Sequence, residues 1–117
     1  MIKVAIVQQA PIFLDKEKTI QKAVALIEEA AGSGSKLIVF PETFIPGYPD
    51  WIWRLRPAND EKLTEEIHAL LLSNSVNLET GDLLSIVIVQ KDIKLLLFVM
   101  LMRETLRIVR QPYITPT

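Results

Sequence analysis

The 117-residue chain contains no cysteine. That absence removes disulfides, thiolate metal sites and a cysteine nucleophile together, and it leaves the redox compartment undetermined. Histidine occurs once, as His68. With no second histidine or clustered acid at ligand spacing, a surface or packing role for it outweighs metal ligation. An excess of one charge is lacking too: Lys and Arg total 13, Asp and Glu 14, the formal net charge is −1, and no basic stripe is present. Composition therefore gives no argument for a nucleic-acid or anionic-membrane partner. The most apolar segment, Leu95 to Met102, is eight residues long, against the roughly 20 needed to span a bilayer. The opening "MIKVAIVQQAP" has too short an apolar run, and no small-residue cleavage pattern, for a signal peptide. These features predict a soluble, cytoplasmic chain. Leu95–Met102 is still an aggregation hazard, being apolar, uncharged and free of proline.

What is present fits an ordinary globular domain. Half of the residues are hydrophobic, and a chain of this length folding alone buries roughly two-thirds of its unfolded surface. No internal repeat or low-complexity segment interrupts it. Ile2 to Gln9, rich in β-branched residues and ending before Pro11, reads as a buried strand. Asp15 can cap a helix on which Ile20, Ala23, Val24, Ile27 and Ala30 share one face. That helix closes at "GSGS", and Lys36 to Phe40 forms a second strand. Strand, amphipathic helix and strand make a βαβ unit, which implies parallel pairing. The "GSGSK" superficially resembles a phosphate-binding loop. It follows a helix and precedes a strand, however, the reverse of what a phosphate cradle needs.

The stretch "VFPETFIPGYPDWIW", Val39 to Trp53, carries the chemistry candidates. Loops at the carboxyl ends of parallel strands carry ligands, and Glu42 stands at that place. The bland alternative, an acid that caps a loop or faces solvent, is the commoner fate of a strand-end glutamate. Here Phe40, Phe44, Trp51 and Trp53 flank it and could partly desolvate the carboxylate, poising it as a general base. Tyr48, Trp51 and Trp53 are the candidates for a substrate pocket. The two tryptophans serve equally well as a substrate-facing wall or as a sticky patch for another subunit.

After this loop, Asn59 or Asp60 can cap a helix to about Ser73, with Leu63, Ile67, Leu70 and Leu71 as its apolar face. "NSVNLETGD" is a turn-rich connection. Beyond about Leu83 the texture changes: there is neither clear alternation nor a helical stripe, and no turn punctuation until Pro112. A strand near Leu95 to Leu101 is the expectation there, within an otherwise irregular tail.

Three blocks, "KVAIVQQAPIFLD", "KLIVFPETFIPGYPDW" and "LLSNSVNLETGD", resemble the nitrilase branch of the carbon–nitrogen hydrolases in sequence and order. The middle block is the most specific. The resemblance spans Met1 to about Leu84. It implies a partial αββα sandwich and hydrolysis of a small-molecule nitrile to a carboxylic acid and ammonia, with neither a metal nor an organic cofactor. It also implies that Glu42 is the general base of a set in which a cysteine adds to the carbon–nitrogen bond and a lysine stabilises the developing charge. A thiolate is a strong nucleophile that needs a neighbouring base, so the set is chemically coherent. This chain departs from it in having no cysteine and in lacking the lysine's usual motif after Gly81-Asp82.

Residues 1–84 thus resemble the N-terminal part of a carbon–nitrogen hydrolase domain, and 85–117 form a divergent tail. A change of reading frame accounts for the divergence. If Gln111 to Thr115 is encoded CAA CCC TAT ATA ACA and followed by the CC of Pro116, stepping back one base reads Thr-Leu-Tyr-Asn-Thr. The same shift applied to Met102 through Leu106 yields Glu-Arg-Asp-Ser. Both resemble family segments, in the family's order and in one phase. The expectation is that translation leaves the ancestral frame between about Gly81 and Lys91 and stops early. Out-of-frame sequence has not been selected to pack, which explains the missing periodicity.

The leading reading is an N-terminal nitrilase-type fragment that keeps its base without its nucleophile and is inactive alone. A second reading is a non-catalytic module that associates with a full-length relative or with itself, because half a sandwich leaves apolar faces uncovered. A third, a complete small α/β domain of unrelated function, requires the tail to supply a strand that pairs with the first two.

Overall fold

The computed structural model describes residues 1–92 and 96–98. Its centre is a three-stranded sheet made of β1 (Val4–Ile6), β2 (Leu37–Val39) and β3 (Leu96–Phe98), ordered β1-β2-β3. All pairing is parallel, with Val4 opposite Leu37 and Leu37 opposite Leu96. A parallel pair needs a crossover, and helix α1 (Lys16–Gly32) supplies the one between β1 and β2.

Helix α1 forms where the sequence predicts it. Asp15 is the N-cap, and its side chain accepts from the Lys18 N–H at 3.0 Å. Ile20, Ala23, Ile27 and Ala30 are buried along one face and meet Val7, Ile38 and Phe40 in the core. Ile27 is fully buried, and burying such a side chain is worth roughly 1.5–3 kcal/mol. The helix closes with Gly34 N–H donating to Ala31 O and Ser35 N–H to Ala30 O. This geometry places Gly34 at φ +83°, a left-handed conformation in which glycine has no Cβ to clash. The "GSGS" is therefore a helix stop.

Four expectations need correction. The first strand is shorter than Ile2–Gln9 and is not buried: Val4 is 46% and Ile6 70% exposed. Among the described residues only the α1 side of the strand is covered, so Ala5 and Val7 turn inward while Val4 and Ile6 do not. Helix α2 (Glu61–Ser73) has the predicted bounds, yet Leu71 alone is buried, and Leu63 and Leu70 of its expected apolar face are about half exposed, at 51% and 52%. Among the described residues, no layer lies over that stripe. Asp60 is the N-cap by position, but its carboxylate accepts from the Arg56 N–H and Nε and caps no helix N–H.

The fourth correction concerns the region beyond Leu83. Residues Leu84–Asp92 are helix α3, which packs on α1. Ile86 enters the core and Val89 leans on it, while Leu84, Val87 and Ile88 are exposed. Because apolar residues occupy both sides of this helix, no stripe was visible to periodicity; tertiary packing selects the buried side. The strand expected near Leu95–Leu101 is present as β3, paired with β2. No helix among the described residues is long and apolar enough to cross a membrane.

Candidate active site

The chain leaves β2 through Phe40 and turns sharply at Pro41. From there the loop sorts its residues by polarity: Phe44, Ile45, Pro46 and Gly47 are buried, whereas Pro41 and Glu42 are exposed. Phe44 packs on Phe40 with ring centroids 5.1 Å apart. Three hydrogen bonds hold the turn. Gly47 N–H donates to Thr43 O at 3.0 Å, Leu14 N–H to Pro46 O at 3.0 Å, and Thr43 Oγ1 to Glu42 O at 2.8 Å. The Ile45–Pro46 peptide is cis.

Two backbone positions in this loop are unusual. Thr43 sits at φ +50°, a region that costs a β-branched residue of order 1–2 kcal/mol. It lies directly after Glu42 and breaks the extended path of β2 at the point where the carboxylate emerges. Gly47, at φ +126°, is obligatory for a second reason: a Cβ built there would stand 2.6 Å from Phe13 Cδ2. The segment Pro11–Leu14, which follows β1, is thereby packed against the loop that follows β2.

Glu42 lies at the carboxyl end of the central strand, as the sequence places it. The aromatic enclosure expected around it does not form. Phe40, Phe44 and Trp51 turn into the interior, at 4%, 1% and 5% exposure, so their hydrophobicity closes the core and leaves the carboxylate in solvent. Its side chain has no hydrogen-bond or ion-pair partner among the described residues. Trp51, in the short 3-10 helix Asp50–Trp53, packs edge-on against Phe13 at 5.9 Å. It therefore presents neither a wall nor a patch. Tyr48 and Trp53 do face solvent, at 47% and 77%. Tyr48 joins Pro11, Phe13 and Asp50 around an open depression. His68 is exposed on α2.

Sequence reasoning missed Phe13 and Pro11 as neighbours of Tyr48, because they come from the far side of α1. It also missed the clamp that ties the first turn of α1 to the Asn74–Asp82 connection. Lys16 Nζ donates to Asp82 Oδ2 at 2.7 Å and to Ser75 O at 3.4 Å, and the Lys16 N–H donates to Asn74 Oδ1 at 3.1 Å. Asp82 also accepts from the Asn77 N–H and Thr80 Oγ1. Burial pushes the Asp82 carboxyl upward, but Lys16, Asn77 and Thr80 together outweigh it and hold the group below the usual carboxylate range. The turn-rich "NSVNLETGD" is thus tied to the first turn of α1.

A parallel α/β sheet with a solvent-facing carboxylate at the end of its central strand defines a class of fold in which strand-end loops carry the chemistry. Comparison with known proteins narrows the class. The family model for carbon-nitrogen hydrolases matches residues 3–102. The chain belongs to that family, and within it to the nitrilase branch, whose N-terminal portion it represents. It is 49% identical over 67 residues to a nitrilase of Pseudomonas syringae pv. syringae, covering 57% of this chain and 20% of that protein. It is 39% identical over 85 residues to an arylacetonitrilase of Aspergillus oryzae, covering 73% of this chain and 24% of the relative. An aliphatic nitrilase of Rhodococcus rhodochrous is 54% identical over 52 residues, 44% of this chain and 14% of that one. The chain spans about a quarter or less of the length of these relatives.

Proposed function

We propose that this chain is the part of a nitrilase-type hydrolase that carries the general base, and that Glu42 is that base. The observation that carries the reading is the architecture of the Pro41–Gly47 loop. Four buried residues and a left-handed Thr43 anchor it, and the one acid in it projects from the end of β2 with no side-chain partner among the described residues. In the proposed reaction a cysteine thiolate adds to the nitrile carbon, the glutamate takes up and returns protons, and a lysine stabilises charge on nitrogen. Tyr48 and Trp53 are the proposed contacts to the nitrile's substituent. The complete αββα sandwich belongs to the same proposal, because parallel sheets occur almost only with both faces covered.

A base without a nucleophile has nothing to activate, and no residue of this sequence is cysteine. The 117-residue chain alone is therefore expected to release no ammonia from phenylacetonitrile or from an aliphatic nitrile above background. Turnover that disappears in Glu42→Gln would show that the chain has an active site of its own and would overturn this reading. The second reading, a module that associates with another chain, is favoured by the exposure of Val4 and Ile6 on β1 and of Leu63 and Leu70 on α2. Size-exclusion chromatography with a full-length nitrilase separates a defined hetero-oligomer from heterogeneous aggregate.

A further inference from the structure

A tight turn about Pro49 brings Tyr48 and Asp50 together. Pro49 has φ −78° and ψ 63°, the inverse γ-turn conformation, and Asp50 N–H donates to Tyr48 O across it at 2.8 Å. The pyrrolidine ring presets the φ that this turn needs. Phe13 reaches the same place from the far side of α1. Its ring edge lies 2.6 Å from the position a Gly47 Cβ would take, and Trp51 packs edge-on against it at 5.9 Å. The ring is thus held on two sides while Phe13, like Tyr48, remains half-exposed. With Pro11, these residues line an open depression of about 420 Å³, and Asp50 carries the one charge among its lining side chains.

We infer that this depression binds an organic cation of the methylated-ammonium class. Aromatic faces attract a cation through the ring quadrupole, and Asp50 sets a full negative charge beside them. Other ligand classes fit worse. A neutral apolar group would cover the rings but strip water from an unmatched carboxylate, and an anion would meet both that carboxylate and the negative ring faces. A primary ammonium is strongly hydrated, and the lining side chains offer it only one carboxylate and one phenol oxygen in exchange for its water. Methylation removes N–H groups that would need partners. Arg54 already pairs with Asp50 at 3.2 Å, with both side chains exposed; such a pair is weak, and the entering cation replaces it. Because Tyr48 is also the proposed contact to the nitrile's substituent, the inference deepens that reading and rests on it where the cation is the charged end of a nitrile. A free cation is recognised by the same chemistry, and neither case depends on Glu42.

The test is titration of the full 117-residue chain with choline and with its uncharged isostere, the alcohol in which carbon replaces the ammonium nitrogen. The NMR signals of Phe13, Tyr48 and Asp50 report binding. Choline is expected to bind at least about fivefold more tightly than the alcohol. Tyr48→Leu keeps apolar bulk without the ring, and Asp50→Asn removes the charge. Each should weaken choline by at least about threefold while holding the affinity for the alcohol within about twofold. Both side chains are half-exposed, and unchanged signals from Ile27 and Ile38 verify that the core is intact. Cyanomethyl-trimethylammonium separates the two sources. Shifts that extend to Glu42 identify the charged nitrile, shifts confined to the three lining residues identify a free cation, and both support the inference. It is overturned by equal affinity for choline and the alcohol, by the absence of a saturable shift at these residues, or by choline binding that survives both variants unchanged. Glu42→Gln leaves choline binding where it is, so failure here and failure of the catalytic reading are distinguishable.

Discussion

Lys16 and Asp82, 66 positions apart in the chain, meet at 2.7 Å with their side chains only 21% and 17% exposed. The pair ties the start of α1 to the turn that precedes α3. Asp82 also receives the Asn77 N–H at 2.8 Å, so its replacement strands several donors at once. Removing one partner of a part-buried, charge-assisted bond costs about 1–3 kcal/mol. Asp82→Asn and Lys16→Met should each lower the urea midpoint by a corresponding amount, with the double variant less than additive. Full additivity in this cycle would show that the two side chains are uncoupled.

The same carboxylate makes stability depend on acid pH. Asp15, Asp60 and Asp82 all lie below their ordinary value of 3.8 in the folded chain. Asp15 is lowered first by the Lys18 N–H, Asp60 by the Arg56 side chain, and Asp82 by Lys16 and its neighbours against the opposing effect of burial. A group depressed on folding stabilises fully above its unfolded value, and that contribution is lost as pH falls through the folded one. The urea midpoint is expected to fall between about pH 5 and about pH 3, more steeply in the wild type than in Asp82→Asn. Parallel profiles for the two would remove Asp82 from the account.

Gly47 and Thr43 respond in opposite directions. Gly47→Ala puts a methyl group 2.6 Å from Phe13 at a φ of +126°. It should destabilise by roughly 1–3 kcal/mol, read as a lower Tm. Thr43 holds φ +50° with a β-branched side chain, whereas asparagine tolerates the left-handed region. Thr43→Asn is expected to raise stability by up to about 1 kcal/mol. A drop in Tm for this variant would mean that the Thr43 hydroxyl, which bonds Glu42 O, contributes more than the strain it carries.

The origin of the C-terminal residues is open to a direct check in nucleic acid. The coding DNA is expected to hold, one base out of phase, an open frame reading Glu-Arg-Asp-Ser opposite Met102–Leu106 and Thr-Leu-Tyr-Asn-Thr opposite Gln111–Pro116. Sequencing that finds stops in that phase, or neither motif, ends the frameshift proposal.

Legibility from sequence followed the range of the interactions. Helix α1 was readable because its cap, its stripe and its glycine stop are all local. β2 and the strand-end position of Glu42 were readable for the same reason. Trp51 was not, since whether an aromatic side chain closes a core or lines a site depends on whether Phe13 is there to receive it. α3 escaped because apolar residues lie on both of its sides, and only the approach of α1 decides that Ile86 is buried.

By itself, then, the sequence determined the βαβ order, the loop in which the carboxylate stands, the family to which these blocks belong, and the absence of any thiol to partner that carboxylate. Tertiary structure alone decided that Glu42 emerges into solvent, that Phe40, Phe44 and Trp51 turn away from it, and that Lys16 reaches Asp82. The physical reason is one of distance. Capping, turn chemistry and periodicity act within a few residues, whereas burial and ion pairing depend on which surfaces the folded chain brings together.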